Sequence, residues 1–596
     1  MPQNIRSIEY AVTLHAPQTQ NVDICMRVRH ITTPSIDLAL PVWRTGRYSI
    51  LNPAGTVHRV RAQQTTGQAL GISKLDKTTW RVDTEGCTEI EVRYTVYANS
   101  LGDRTRHVDD THAFLSGAAV FLYVPDRRDD SLSVRLEAPA HWKLACSLDA
   151  LDGDPRTLQA PNYDVLIDSP IEIGVHEVLH FDVHGIPHEI VLWGAPIVDS
   201  EKLTRDFKAI VEKQSELFGG LPYKRYIFMI HVSAGAGGGT EHLNSTIIQV
   251  PPRTFEDDAS YKRLMVTASH EMFHAWNVKR LRPAALARTD FARENYTDLL
   301  WFCEGTTAYY EQLILTRAGL TSDDELLLSL GELIQMVRRR PGSKVQSVAE
   351  SSFDAWIKFN QPTSDDMNST VSFYDSGALV SFLLDMELRS RTKNRVSLDT
   401  LMVEMFSRFP ASGPGFATVD LIEVATQLSG SPFEEFFAKY VRSTEPYPLE
   451  ECVGTVGLEL MLDPAGSRAY TGIIAMDLNS ASMVRYVLSD GPAYLAGVLG
   501  GDEIVACNGR RYSSVEMSSQ VEQEMSPGDP IRLEVLRRGR QRTIEFALGS
   551  APKGRWRLSR LPSPPAAQRA AYSNWLHHPW PLPKGEDGPK DQVRGK

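Results

Sequence analysis

The spacing of apolar residues changes its period twice along this chain, and those changes limit what it can fold into. Up to about Ala195 the sequence runs in short alternating stretches, such as Ile8 to His15, Val22 to Val28, Ile90 to Val96, Ser133 to Leu136 and His188 to Trp193. Turn formers separate them, including Asn52-Pro53-Ala54-Gly55 and Asp152-Gly153-Asp154-Pro155. A period of two broken by such clusters predicts an all-β, sandwich-like domain over residues 1–195. From Pro196 the period becomes helical: Lys202 to Phe218 predicts an amphipathic helix, a strand follows at Tyr226 to Val232, and helices dominate to about Val441. That section, 196–450, precedes a third region at 453–550 that returns to short strands. The rest, 551–596, contains Leu561-Pro562-Ser563-Pro564-Pro565 and is rich in Pro, Gly and charge, which predicts a flexible tail with His577 and His578 solvated. With 596 residues the chain is too long for one core, in keeping with three folded domains.

A formal net charge of −11 disfavours nucleic acid or an anionic membrane as a partner. The six cysteines are scattered without a Cys-x-x-Cys pair, so neither a disulfide framework nor a thiolate zinc knot is indicated. Met1 to Glu9 enters strand sequence with no apolar leader, and no stretch is long and apolar enough to span a bilayer, so the expected location is cytoplasmic.

The chemistry concentrates in Thr267-Ala268-Ser269-His270-Glu271-Met272-Phe273-His274-Ala275-Trp276-Asn277. Helix-compatible sequence runs from Asp258 through Asn277, and Pro283 marks a stop beyond it. At about 100° of turn per residue, His270 and His274 return to one face a turn apart, where two imidazoles can bind one Zn²⁺. Glu271 projects beside them, placed to take a proton from a water whose pKa the metal lowers. The spacing therefore predicts metal-assisted hydrolysis. Catalytic zinc takes three protein ligands, and the candidate for the third is Glu304, a carboxylate amid Trp301, Phe302 and Cys303 in a helix expected from near Thr297 to Gly319. A charge among such neighbours is costly unless paired or metal-bound. Glu311, two turns further along the same face, is the candidate to accept the free N–H of a ligand histidine, a surface position being the other reading.

Between the strand at Tyr226 to Val232 and a strand-like stretch at Thr246 to Val250 lies Ala234-Gly235-Ala236-Gly237-Gly238-Gly239-Thr240-Glu241-His242. No Gly-Lys-Ser/Thr follows, so this is not a phosphate loop. Gly238 and Gly239 instead allow close approach to a peptide laid along an edge strand, and Glu241 would face it. Lys279 and Arg280, just past the motif, read as a solvated basic helix end or as binders of a peptide carboxylate.

His-Glu-x-x-His-x-Trp-Asn-x-Lys-Arg-x-x-Pro, followed by Trp-x-x-Glu-Gly-x-Thr-x-Tyr-Tyr, resembles the M61 glycyl aminopeptidase family. Residues 453–550 resemble a PDZ domain of the bacterial kind, through Asp490-Gly491-Pro492-Ala493 and Gly501-Asp502-Glu503-Ile504-Val505-Ala506-Cys507-Asn508-Gly509. The resemblance implies a multidomain layout: an N-terminal all-β domain, a mainly α thermolysin-like (gluzincin) catalytic domain, and a C-terminal α+β PDZ domain. It implies one Zn²⁺ per chain and removal of small N-terminal residues, Gly or Ala, from peptides with a free N-terminus. It also implies that Glu241 binds the substrate's α-amino group. Phe373-Tyr374-Asp375-Ser376-Gly377 is similar to the M1 pattern Tyr-x-Lys-Gly, with Ser376 in place of Lys, which makes Tyr374 the candidate donor to the oxyanion. The PDZ-like groove, entered near Ala469-Tyr470-Thr471-Gly472-Ile473, would take a C-terminal peptide. Two alternatives stand beside this reading. One is a thermolysin-like endopeptidase with the same zinc triad and no use for the amine. The other is a PDZ adaptor with a vestigial metal site, against which the intact Glu271 argues.

Overall fold

The computed structural model describes residues 7–151, 153–194 and 197–581. The alternating segments at its start form an eight-stranded sheet, in which Ile8–Thr13 pairs antiparallel with Asn21–Arg29 and parallel with Leu132–Glu137. Along Asn21–Arg29 every second residue is buried (Val22, Ile24, Met26, Val28), the signature of a pleated strand with one dry face. A five-stranded sheet that includes His112–Leu115 and Ile171–Gly174 shares this core, which holds Tyr10, Tyr94, Val120 and Phe121.

This domain ends earlier than expected. Ile186–Trp193, assigned from its alternation to the N-terminal domain, forms a hairpin with Glu177–Val183 and joins a different five-stranded sheet. In that sheet it runs parallel to Tyr226–Val232, which runs parallel to Ser245–Val250, and Gly238–Glu241 closes one edge antiparallel. Alternation reports only that one face of a strand is wet, not which sheet the strand joins. The expected boundary at Ala195 and Pro196, and Asp152 of the expected turn, lie outside the described residues. All seven residues of Tyr226–Val232 are buried because both faces of the sheet are covered. Ile227 and Met229 pack with Phe114 and Ala145 of the N-terminal domain, while Phe228 and Ile230 join the helical core opposite.

That helical core contains Ser200–Phe218, Asp258–Phe273, Thr306–Arg317 and Asp375–Thr392. The motif helix starts where Asp257 accepts the Ser260 N–H, and it stops at Phe273 rather than running to Asn277, with His274 as its cap. The PDZ-like region forms a five-stranded sheet from Ile473–Leu478 to Arg540–Ala547, with helices Pro492–Ala496 and Ser514–Glu524 around a separate core of Val484, Leu533 and Val535.

The segment after 551 is not a flexible tail over its described part. Arg555–Arg560 pairs with Leu458–Asp463, and the Trp556 N–H donates to Gln335 on helix Asp323–Arg338 at 3.0 Å. Leu458–Asp463 thus belongs with the catalytic body and not with the PDZ-like sheet. Helix Ala566–Leu576 buries Trp575 and Leu576 in the central core, and the Trp575 indole donates to the Tyr309 hydroxyl at 2.8 Å. His578, expected to be solvated, lies 2.8 Å from Asp323. Trp556 and Leu558 on the strand and Tyr572, Trp575 and Leu576 on the helix anchor these elements, and their signal is diluted in Pro-rich, charged composition. The end of the expected tail, from 582, lies outside the described residues. Among the described residues no helix is long and apolar enough to cross a membrane.

Candidate metal centre and active site

The end of the motif helix presents His270 and His274 with ring centroids 4.7 Å apart and planes nearly perpendicular. Glu304 Oε2 lies 3.5 Å from His270 Nε2 and 3.3 Å from His274 Nε2. Tetrahedral bonds of about 2.0–2.1 Å to one zinc ion place neighbouring donors about 3.3–3.4 Å apart, so Glu304 stands from each histidine at the spacing such an ion requires. Both Nδ1 atoms are committed elsewhere: His270 Nδ1 to Glu311 Oε2 at 2.7 Å, and His274 Nδ1 to the Asn277 carbonyl at 3.0 Å. With Nδ1–H donating in each ring, both Nε2 atoms face a carboxylate that is 2% exposed, a donor set that a shared cation would satisfy. Burial works against charge on these groups. Even so, hydrogen bonds to Glu304 and Glu311 raise the pKa of His270 well above its usual value, and the histidines hold the Glu304 carboxyl below the carboxylate range.

Glu304 sits in a single π-helical turn, Trp301–Gly305, that leads into helix Thr306–Arg317. Such turns shift side-chain register within a helix and recur at functional sites. Asn277 ties this turn to the motif helix, its side-chain amide donating to the carbonyls of Phe302 at 2.9 Å and Cys303 at 3.0 Å. Val278 follows with φ of 86°, a costly backbone state for a β-branched residue. The Lys279 N–H then returns to the His274 carbonyl at 3.1 Å, closing the loop under the ligand histidine.

Glu271 lies between this triad and the edge strand. Burial pushes its carboxyl up to about 7, with Glu241 and Glu304 adding repulsion and the two histidines opposing. The backbone of Gly239 lies so close that a methyl group there would meet Oε1 and come within 2.7 Å of Glu271 Cδ. Glu241 ends the same strand, 3% exposed. Burial opposes its charge, but Lys279 and His274 keep its pKa below the usual range. Glu271 Oε2 and Glu241 Oε1 are buried with no hydrogen-bond partner among the described residues, an arrangement that native proteins seldom leave without a ligand. One oxygen from each of these acids lies within 4.8 Å of a ring nitrogen of His274.

Opposite Glu241 the N-terminal domain contributes the turn Arg44-Thr45-Gly46-Arg47. Gly46, at φ of 88°, lies so close that an added Cβ would come within 2.5 Å of the Glu241 carboxylate. Arg44 donates to the Glu241 carbonyl at 3.1 Å, and Lys279 lies 2.8 Å from Asp168 and 3.9 Å from Glu241. Lys279 is 6% exposed, so the solvated helix end expected for it is replaced by a buried ion pair between domains. Arg280 is also held inward, donating to the carbonyls of Leu243 and Ala275.

Tyr374 precedes helix Asp375–Thr392, its ring 6.1 Å from that of His270. Burial, then Glu304, raise its pKa well above that of a free phenol, so the hydroxyl keeps its proton as a donor. Its helix approaches the π-turn through two glycines: a Cβ at Gly305 would fall 2.5 Å from Gly377 Cα.

The fold thus gathers His270, His274, Glu304, Glu271, Glu241, Glu311 and Tyr374 at one cleft, with Gly239 against Glu271 and Gly238 opening the edge strand. Arg44, Asp168, Asn277 and the role of Lys279 were not legible in the sequence. Asp168 and Lys279 stand 111 positions apart, and neither carries a local signal of the other.

The chain is similar to known proteins along most of its length. The Peptidase M61 N-terminal domain matches residues 9–175, the M61 glycyl aminopeptidase family residues 263–380, and a PDZ domain residues 469–548. A crystal structure of an aminopeptidase N family protein from Idiomarina loihiensis is similar over 96% of this chain and 100% of that one, with a TM-score of 0.89 and 28% identity. An M1 zinc metallopeptidase from Deinococcus radiodurans is more distant, with a TM-score of 0.45 and 13% identity over 74% of this chain and 95% of that one. A probable periplasmic DegP-like serine endoprotease from Pseudomonas fulva is 25% identical over 117 residues, 18% of this chain and only 24% of that relative's length. With both M61 domains matched in order and a PDZ domain behind them, the chain carries the domain set of an M61 glycyl aminopeptidase.

Proposed function

We propose that this chain is a zinc-dependent aminopeptidase that removes small N-terminal residues, Gly or Ala, from peptides. The observation that carries the reading is the pair of buried, unsatisfied carboxylate oxygens, on Glu271 and Glu241, beside a His-His-Glu triad in which Glu304 stands at zinc-ligand spacing from each histidine. One zinc ion, held by His270, His274 and Glu304, would supply Lewis acidity, lowering the pKa of water and polarising the substrate carbonyl. Glu271 takes the proton from the attacking water and returns it to the leaving amine. Tyr374 donates its hydroxyl to the developing oxyanion. Gly238 and Gly239 let the peptide backbone approach the start of the edge strand, and Glu241 accepts hydrogen bonds from the α-ammonium group. Glu311 fixes the tautomer and orientation of His270. Gly46 and the buried Tyr48 crowd the space near Glu241, which supports a small first residue.

For the PDZ domain we propose a C-terminal peptide ligand in the groove of about 600 Å³ lined by Thr471, Ile473, Met517 and Val521.

The test offers peptides beginning Gly-Ala, with free and with acetylated amines, to zinc-loaded protein, chelated protein and Glu271→Gln. Cleavage of the free-amine peptide alone, lost in both controls, is the expected result. Internal cleavage of the acetylated peptide would instead make the protein an endopeptidase and remove the role of Glu241.

A further inference from the structure

We propose that Arg47, seconded by Arg104, forms a carboxylate-binding site in the cleft that recognises an anionic group carried by the substrate beyond the scissile bond. This deepens, and rests on, the aminopeptidase reading. The site is built by the turn at residues 44–47, which Arg44 and Arg47 close as a bridged pair, the Arg47 N–H reaching the Arg44 carbonyl at 3.3 Å. The glycine at positive φ sends the two arginines to different tasks. Arg44 is 2% exposed and locked onto the Glu241 carbonyl and Asp168. Arg47 is half-buried, and among the described residues its guanidinium has no hydrogen bond or ion pair.

Its surroundings are short of negative charge. Burial disfavours its cation first and the neighbouring Arg104 next; Asp103 and Tyr374 offset this only in part. Asp103 is already engaged, at 2.5 Å by Arg104 and at 2.7 Å by the Thr240 hydroxyl. Arg104 bridges the turn to the edge strand through the carbonyls of Gly46 at 3.4 Å and Gly239 at 3.1 Å, and its Nε is buried without a partner. Asp103 is thus taken by Arg104, and Arg47 is left beside it without an acid of its own, with both guanidinium groups within electrostatic reach of Tyr374. A carboxylate from the ligand would relieve both burial and repulsion, and a planar arginine fork suits it. In a dipeptide that carboxylate lies one residue beyond the carbonyl that Tyr374 faces. The substrate class read from this is a short peptide with a free C-terminus, or one with an acidic residue after the cleaved bond. The cleft would then hold both ends of the smallest substrates, the amine by Glu241 and the acid by Arg47.

The experiment compares Gly-Ala, Gly-Ala amide and Gly-Asp amide, as kcat and KM with zinc-loaded wild type, Arg47→Gln and Arg47→Lys. It also measures binding of the same peptides by calorimetry in a Glu271→Gln background. A charge-assisted pair predicts that Gly-Ala is favoured over its amide by roughly 10- to 100-fold in KM and in binding. Arg47→Gln should bring that ratio close to one, and Arg47→Lys should keep part of it, which loss of folding cannot mimic. An Arg47-dependent preference for Gly-Asp amide over Gly-Ala amide would assign the carboxylate to a side chain. No preference in wild type, or a preference that survives Arg47→Gln, overturns the proposal. If no peptide is cleaved, the aminopeptidase reading fails, while the binding ratio still decides whether the carboxylate site exists.

Discussion

Gly239→Ala tests the placement of Glu271 through kcat, while any effect on the peptide's approach to the same strand is read in KM. Gly239 does not have a positive φ, so alanine meets no backbone strain there. Its methyl would meet Glu271 Oε1 and lie 2.7 Å from Cδ and 2.8 Å from Cγ. Ordinary contact begins near 3.4 Å, so the carboxyl carbon has to retreat by about 0.7 Å, by rotation of a side chain rather than movement of backbone. A misplacement approaching 1 Å costs on the order of 100-fold in rate where a proton must be passed along a fixed line. The three atoms nearest the methyl all belong to Glu271, so the expected outcome is a loss of kcat of roughly 100-fold. Zinc content should be unchanged, and a Tm near wild type is expected because Gly to Ala costs little in a compatible backbone. Steady-state kinetics on a Gly-Ala peptide, elemental analysis and a thermal melt read these separately. A kcat within threefold of wild type, with Glu271→Gln inactive, would refute the argument that backbone at 239 positions the base.

Three further outcomes follow from the packing. Gly305→Ala drives a methyl against Gly377 backbone that cannot rotate away, so it should cost about 1–3 kcal/mol or more in urea unfolding and loosen Glu304 from the metal. Glu311→Gln should lower zinc affinity about 10- to 100-fold in competition with a chelator, because His270 exchanges a charged acceptor for a weaker neutral one. Glu172, fully buried between His112 and His231 across the domain interface, has its carboxyl held at about 2 by those hydrogen bonds despite burial. Its folded pKa is below the unfolded value of about 4.3, so its stabilisation is complete above that pH and fades as pH falls toward 2. Glu172→Gln should flatten that part of the stability curve by roughly 3 kcal/mol in acid titrations of unfolding.

The three candidate ligands, which the structure brings together, could be picked from the sequence because each follows from a local rule. The i, i+4 spacing of His270 and His274 faces both imidazoles one way, and a carboxylate at 304 amid Trp301, Phe302 and Cys303 asks for a cation. Glu311 was legible from its seven-residue step, though not its choice between His270 and solvent. The stretch 555–576 was misread because composition averages over the few large side chains, Trp556 and Trp575 among them, that decide whether a segment packs.

The sequence by itself determined the order of domains, the periods of their strands and helices, and the residue types that can hold zinc, since these depend on neighbours within a turn or two. Only the tertiary structure decided that the hairpin ending at Trp193 joins the catalytic sheet and that Gly239 abuts Glu271. It also decided that a turn of the N-terminal domain closes on Glu241 through Arg44 and Gly46, and that Asp168 meets Lys279 across 111 positions. These are contacts between surfaces brought together by burial of apolar area, a force without direction, and no local pattern records which surface will be on the other side.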